Sequence, residues 1–239
     1  MKATTTEIQN NFGKYLKICA NEDVIITRNG REVASLSNYE PDRKNRFLVC
    51  EGSAAYSNDK PFKISYQEFM RLVEGSRNQY EYINGVVYLQ ASPTHLHQST
   101  SSRIYTSFSI WFQRKKCRPY YSPYDVTFHI GEEKSVVQPD ILVICDHDKI
   151  DDKGKYHGIP SLVVEIMSPS TKTKDLTAKL ELYMKGGVSE YWIANPEAKR
   201  IDIFTFIEKE ISDTLTYKIN ENAQSVIFKG MTVSVDDVF

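Results

Sequence analysis

Apolar positions along this chain follow two rhythms, and each change of rhythm marks a new element. Thr4-x-x-Glu7 is a capping-box pattern, and Ile8, Phe12, Tyr15, Leu16 and Cys19 follow it at helical spacing. The β-branched run Val24-Ile-Ile-Thr-Arg28 then predicts a strand, Asn29-Gly30 a type I′ turn, and Val33-Ala-Ser-Leu36 a second strand. Residues 1–46 therefore read as an αββ module too small to bury a good core alone, so it should dimerise or pack on something. Residues 47–61 are mostly polar, with Phe47-Leu-Val-Cys50 as an apolar island, and read as a linker.

Residues 62–239 carry the longer pattern. Ser65–Val73 predicts a short helix, and Tyr80–Tyr88 predicts a hairpin around Asn84-Gly85. A long helix is expected over Leu96–Arg114, with Ile104, Phe108, Trp111 and Phe112 on one face. Strands follow near Tyr124–His129, Val136–Ile144 and Leu162–Met167. A helix over about Lys174–Lys185 is closed by Gly186-Gly187, and strands at Tyr191–Ala194, Arg200–Phe206, Thr214–Ile219 and Ser225–Phe228 complete the chain. Helices alternating with strands in this way predict an α/β fold, a mixed α+β sheet with helices on both faces.

Composition narrows the function classes. The 30 Lys+Arg and 31 Asp+Glu leave a net charge of -1, so a nucleic-acid site must be a local patch. Cys19, Cys50, Cys117 and Cys145 are scattered, with no C-x-x-C pair and no histidine at zinc spacing. A structural zinc or a disulfide framework is not expected, and a reducing cytoplasm is the default compartment. No apolar run approaches the ~20 residues of a membrane span, and the N-terminus lacks a signal-peptide pattern.

Two carboxylates stand out. Glu165 lies inside Leu162-Val-Val-Glu-Ile-Met167, a run otherwise suited to a buried strand, where an ionised group needs a partner or a metal. Asp140 opens the apolar run Ile141–Ile144 after Pro139, which donates no ladder hydrogen bond. On neighbouring strands the pair could hold one Mg²⁺ or Mn²⁺, an ion suited to phosphodiester hydrolysis. Each acid could equally be a strand-end or charge-paired residue.

Val137-Gln-Pro-Asp-Ile-Leu-Val-Ile144, Leu162-Val-Val-Glu-Ile-Met-Ser-Pro-Ser-Thr171, Lys179-Leu-Glu-Leu-Tyr183 and Gly187-Val-Ser-Glu-Tyr-Trp-Ile193 closely resemble the Uma-two family of restriction-endonuclease-like proteins. Tyr80–Gly85 and Ser92–Gln98 are similar to its N-terminal part. The resemblance covers about residues 62–206 and implies a PD-(D/E)XK fold with metal-dependent DNA cleavage. It implies Asp140 and Glu165 as metal ligands and catalytic residues. The plain motif would place a lysine two residues after Glu165, where this chain has Met167, and Lys179 on the following helix is the expected replacement. Glu81 is a candidate additional ligand, and His97 is a candidate to approach phosphate or a metal-bound water. Lys172 and Lys174 are candidate DNA contacts.

Asn11-Phe12-Gly13, Tyr15-Leu16, Val24–Gly30 and Val33–Leu36 resemble the DNA-binding lobe of Phd/YefM antitoxins. That implies a homodimer that binds duplex DNA, with Lys2, Lys14, Arg28 and Arg31 as contacts. The toxin-wrapping segment of such antitoxins is not recognisable, so a toxin partner has no support. Residues 1–46 hold eight Lys/Arg against six Asp/Glu, a small excess. Two functions stand side by side. One is a metal-dependent DNA endonuclease with a DNA-binding module. The other is a non-catalytic antitoxin-like regulator whose nuclease-fold body serves assembly.

Overall fold

The computed structural model describes residues 1–10, 12–19, 22–36, 50–51, 63–168 and 174–239, and the chain divides into two units, Met1–Arg46 and Phe47–Phe239. In the smaller unit, β1 (Lys2–Thr4) leads into α1 (Thr5–Asn10) and α2 (Phe12–Ile18), followed by β2 (Val24–Arg28) and β3 (Arg31–Leu36). The capping box forms: the Thr4 amide donates to Glu7 Oε2 at 2.8 Å, and the Glu7 amide donates to Thr4 Oγ1 at 3.2 Å. Asn29 and Gly30 both take positive φ, 51° and 75°, as a type I′ turn requires. The strand β1 is an addition to the expected αββ pattern. It pairs parallel to β2, so three residues that alternate too briefly to read as a strand complete a three-stranded sheet. Ala3, Ile8, Tyr15, Cys19 and Val24 form its core, while Phe12 and Val33 are about half exposed.

The larger unit opens with β4 (Cys50–Glu51), which lies within the expected linker; the remainder of 47–61 falls outside the described residues. Next come α3 (Tyr66–Val73), β5 (Tyr80–Ile83), β6 (Val86–Leu89), α4 (His95–Trp111), β7 (Arg118–Tyr121), β8 (Val126–Ile130), β9 (Glu133–Val137) and β10 (Ile141–Ile144). Then follow β11 (Leu162–Ile166), a π-helical turn over Asp175–Lys179, α5 (Leu180–Gly186), β12 (Glu190–Asn195), β13 (Arg200–Ile207) and β14 (Glu210–Lys218). The short β15 (Asn222–Gln224), β16 (Thr232–Ser234) and α6 (Val235–Val238) end the chain. A six-stranded sheet has the order β14-β13-β12-β11-β10-β7, with β11 and β12 parallel and the other neighbours antiparallel. A five-stranded sheet has the order β4-β6-β5-β9-β8. One face of the large sheet packs on α4 and the C-terminal segment, through Ile104, Phe108, Trp192 and Val235. The other face packs on α5 and β8 through Tyr183, Phe128, Val163 and Tyr191.

Three expectations need correction. The run Val136–Ile144 is two strands, since Pro139 supplies no amide donor and Gln138–Asp140 step out of the ladder between sheets. Ser225–Phe228 is no strand: the Val226 and Ile227 amides donate to Glu190 Oε2, at 2.8 and 3.0 Å. Cys117 and Cys145 form a disulfide, which their 28-residue separation hides. Pairing β7 with β10 sets Arg118 opposite Ile144, so the residues one step beyond face each other.

Glu190 is fully buried, and its other oxygen accepts from the Trp192 indole N–H. The carboxylate thus ties the 225–228 segment to the sheet. Glu190→Gln turns an amide NH₂ toward groups that are themselves donors. It should cost about 1–3 kcal/mol, read as a lower urea midpoint with an unchanged slope.

Candidate active site

Pro139 ends the pairing of β9, and β10 begins one residue after Asp140. The register sets Ile141 against Val164, so one further step brings Asp140 opposite Glu165. Asp140 Oδ2 accepts the Ile166 amide at 2.7 Å, so the side chain replaces the ladder bond lost where the strand starts. His97 lies in the first turn of α4, where its amide donates to the N-cap Thr94 Oγ1 at 3.2 Å. Its Nε2 stands 3.2 Å from the same Asp140 oxygen.

Glu165 is buried in β11 and is met from the helical side. Lys179 Nζ is 2.7 Å from Glu165 Oε1, and the Tyr183 hydroxyl, four residues on, donates to the same oxygen. The π-helical turn that ends at Lys179 is a widened turn of the kind frequent at functional sites. Lys179 Nζ also lies 2.9 Å from Glu81 Oε1, and Lys174 Nζ lies 2.6 Å from Glu81 Oε2. The Gln138 amide donates to Glu81 Oε1 at 3.1 Å. Burial pushes the Glu81 carboxyl up, but the Lys179 and Lys174 ammoniums outweigh it and hold the group down at about 2. Burial, with Glu165 beside it, pushes the Tyr183 hydroxyl well above the ordinary phenol range.

A cleft of about 480 Å³ opens onto Asp140, Glu165, His97, Lys174 and Lys179. Glu81 lies beneath this cleft rather than in it, with both oxygens engaged; it anchors two lysines where an extra metal ligand was expected. Among the described residues, no three His, Cys, Asp or Glu side chains gather around one point. Mg²⁺ and similar ions are commonly held by one or two carboxylates, with waters and substrate phosphates completing the shell. Asp140 and Glu165, two hard-oxygen donors side by side at an open cleft, fit such an ion without a third side chain.

Lys174, expected at a phosphate, is buried against Glu81, and Lys172 lies outside the described residues. In the smaller unit Lys2 pairs with Glu32 at 2.8 Å, and Lys14 sits 5.6 Å from the Tyr15 ring centre. Arg28 and Arg31 are exposed at the hairpin, and Arg28 lines a groove with Thr4, Thr5 and Phe12. Sequence reasoning missed Tyr183 and Tyr121 among the site residues. Tyr183 carried a signal, its i, i+4 spacing from Lys179; Tyr121 carried none, because its strand was not foreseen.

The Uma2 family, described as "Putative restriction endonuclease", matches residues 66–236. The protein slr1290 of Synechocystis, described as uncharacterized, is 29% identical over 153 residues, which is 63% of this chain and 78% of the relative. Among solved structures, a "putative nuclease belonging to DUF820" from Anabaena variabilis superposes with a TM-score of 0.61 at 19% identity. That match covers 74% of this chain and 97% of the neighbour, and at such identity it speaks to the fold. The matched span runs from α3 into α6 and takes in Glu81, Asp140, Glu165 and Lys179, so this chain belongs to the Uma2 family.

Proposed function

We propose that the larger unit is a PD-(D/E)XK-type nuclease that cleaves DNA phosphodiester bonds with Mg²⁺ or Mn²⁺ bound at Asp140 and Glu165. The observation that carries this reading is the meeting of two carboxylates from neighbouring strands at one cleft, with the Lys179 ammonium 2.7 Å from Glu165. A bound divalent ion would polarise the phosphodiester and lower the pKa of a water. The protein's own groups do the positioning. The Ile166 amide and His97 orient Asp140, and Tyr183 and Lys179 orient Glu165. Lys179, held between two acids, is pre-organised to steer the attacking water or offset charge growing on the phosphate. Water oxygen then bonds to phosphorus as the P–O3′ bond breaks, leaving a 5′-phosphate and a 3′-hydroxyl. Met167 is the residue that favours an inactive body, and Lys179 supplies beside Glu165 the cation that Met167 cannot.

The smaller unit is read as a Phd/YefM-like module that dimerises and binds duplex DNA. Its exposed Arg28 and Arg31 suit phosphate contacts, and its half-exposed Phe12 and Val33 suit a partner surface. 

Asp140→Ala and Glu165→Ala should abolish Mg²⁺- or Mn²⁺-dependent cleavage and weaken Mn²⁺ binding by calorimetry. Lys179→Ala should cut turnover about 10²–10³-fold while Mn²⁺ affinity changes far less. Cleavage by Asp140→Ala at the wild-type rate would exclude this site.

The Glu81 carboxyl ionises more easily folded than unfolded, about 2 against 4.5. Its stabilising effect is therefore complete above the unfolded value and is lost as pH falls toward about 2. Glu81→Gln should be less stable than the wild type at pH 7. The gap in urea midpoint should narrow steadily below about pH 4.5.

If the smaller unit contacts duplex phosphates through its hairpin, the double change Arg28→Ala with Arg31→Ala removes two counterion-releasing contacts. The slope of log affinity against log salt should then fall in magnitude by about 2. An unchanged slope in an anisotropy titration would rule out the hairpin as the phosphate contact.

A further inference from the structure

Tyr121 is an aromatic side chain left 60% exposed beside a polar cleft. It ends β7, the edge strand of the large sheet, and pairs with Ile141, the residue after Asp140. The next amide, of Ser122, donates to the Asp140 carbonyl at 3.1 Å. Adjacent strands lie about 4.8 Å apart, so the Tyr121 backbone stands one strand away from the start of β10, and Tyr121 and Asp140 both line the cleft. The ring is not loose: Tyr105 of α4 packs against it, centre to centre at 4.8 Å with the planes at 76°. An exposed, braced aromatic ring on a cleft wall is the platform on which an unpaired base stacks.

The rest of the wall agrees. Gln79, Gln90, Gln98, Ser101, Ser122 and Gln138 line it with amides and hydroxyls that carry no charge. Among the described lining residues the basic side chains are His97, Lys174 and Lys179, and each is engaged with a carboxylate. A duplex-gripping surface depends on lysines and arginines that meet phosphates and release counterions. Among the described residues, this cleft offers hydrogen-bonding groups and the Tyr121 ring instead.

We propose that the cleft takes a polynucleotide strand with an unpaired base, stacked on Tyr121 next to the phosphate that faces Asp140. This rests on reading the cleft as a phosphodiester-cleaving site, and it adds the substrate class: a single strand, a frayed end or a flipped nucleotide. Stacking on one aromatic ring is sequence-tolerant, because every base has a π-face.

The test uses the full-length chain in EDTA, with a fluorescent single-stranded DNA pentanucleotide and a 20-base-pair duplex as separate probes in anisotropy titrations. Tyr121→Ala should weaken pentanucleotide binding roughly 5- to 100-fold, and Tyr121→Phe, which keeps the ring, should bind within about twofold of the wild type. Duplex affinity should be the same in all three proteins, and an abasic position in the pentanucleotide should reproduce the loss seen with Tyr121→Ala. Because the side chain is mostly exposed, Tyr121→Phe should melt with the wild type, and Tyr121→Ala should melt only slightly lower, by the lost contact with Tyr105. Wild-type affinity for the pentanucleotide in Tyr121→Ala overturns the proposal, as does an absence of pentanucleotide binding by the wild type or an equal loss of duplex affinity. The two readings separate cleanly. Tyr121-dependent binding without any cleavage in Mg²⁺ or Mn²⁺ would sink the nuclease and leave the stacking site. Cleavage with Tyr121-independent binding would do the reverse.

Discussion

Two lysines and two glutamates are buried together, and the larger unit is organised around them. Lys179 bridges Glu81 on β5 and Glu165 on β11, and Lys174 closes on the far oxygen of Glu81. Each buried ion costs several kcal/mol in lost hydration, recovered only if every charge finds a close partner. Two cations and two anions balance, and the Gln138 amide and Tyr183 hydroxyl supply further hydrogen bonds. The consequence is architectural. Glu81 belongs to the five-stranded sheet and Glu165 to the six-stranded one, so the network fixes one sheet against the other. The π-helical turn must end where Lys179 reaches both.

The active-site proposal follows from where this network stops. Asp140 sits at its open end, held by an amide and an imidazole, and the cleft begins there. In that proposal Glu165 has two faces to its role: charge partner toward the interior and donor oxygen toward the cleft. Glu190 is the instructive contrast. It is as deeply buried as Glu81, but its partners are the Trp192 indole, Ser225 and two backbone amides, and it does not line the cleft. Burial of an acid marks a constraint; the partners decide whether it is structural or chemical.

Much of the local structure was legible in the chain. The capping box at Thr4, the Asn-Gly hairpins and the Gly187 helix end each follow from one or two residues whose backbone preferences are strong. Other elements were not legible for physical reasons. The edge strand β7 holds Pro119 and a short Tyr pair, which carry no alternation. The 117–145 disulfide depends on a strand pairing 28 residues apart. The break at Pro139 separates two sheets that the apolar run alone would join.

The sequence by itself determined which residues had to be explained: a glutamate inside an apolar strand and an aspartate after a proline, followed by a helix with Lys179 on its border. Desolvation cost makes those residues visible without coordinates, because an acid in such a run is improbable unless something meets it. Only the tertiary structure decided what meets it. It bridged Lys179, expected from the sequence beside Glu165, to Glu81 as well, set Tyr183 on Glu165, turned Glu81 and Lys174 from a candidate ligand and a candidate phosphate contact into a buried ion pair, and brought Tyr121 to the cleft. Burial cost is a property of a position and its neighbours in sequence, whereas charge pairing is a property of distance in space, which strand order and register set.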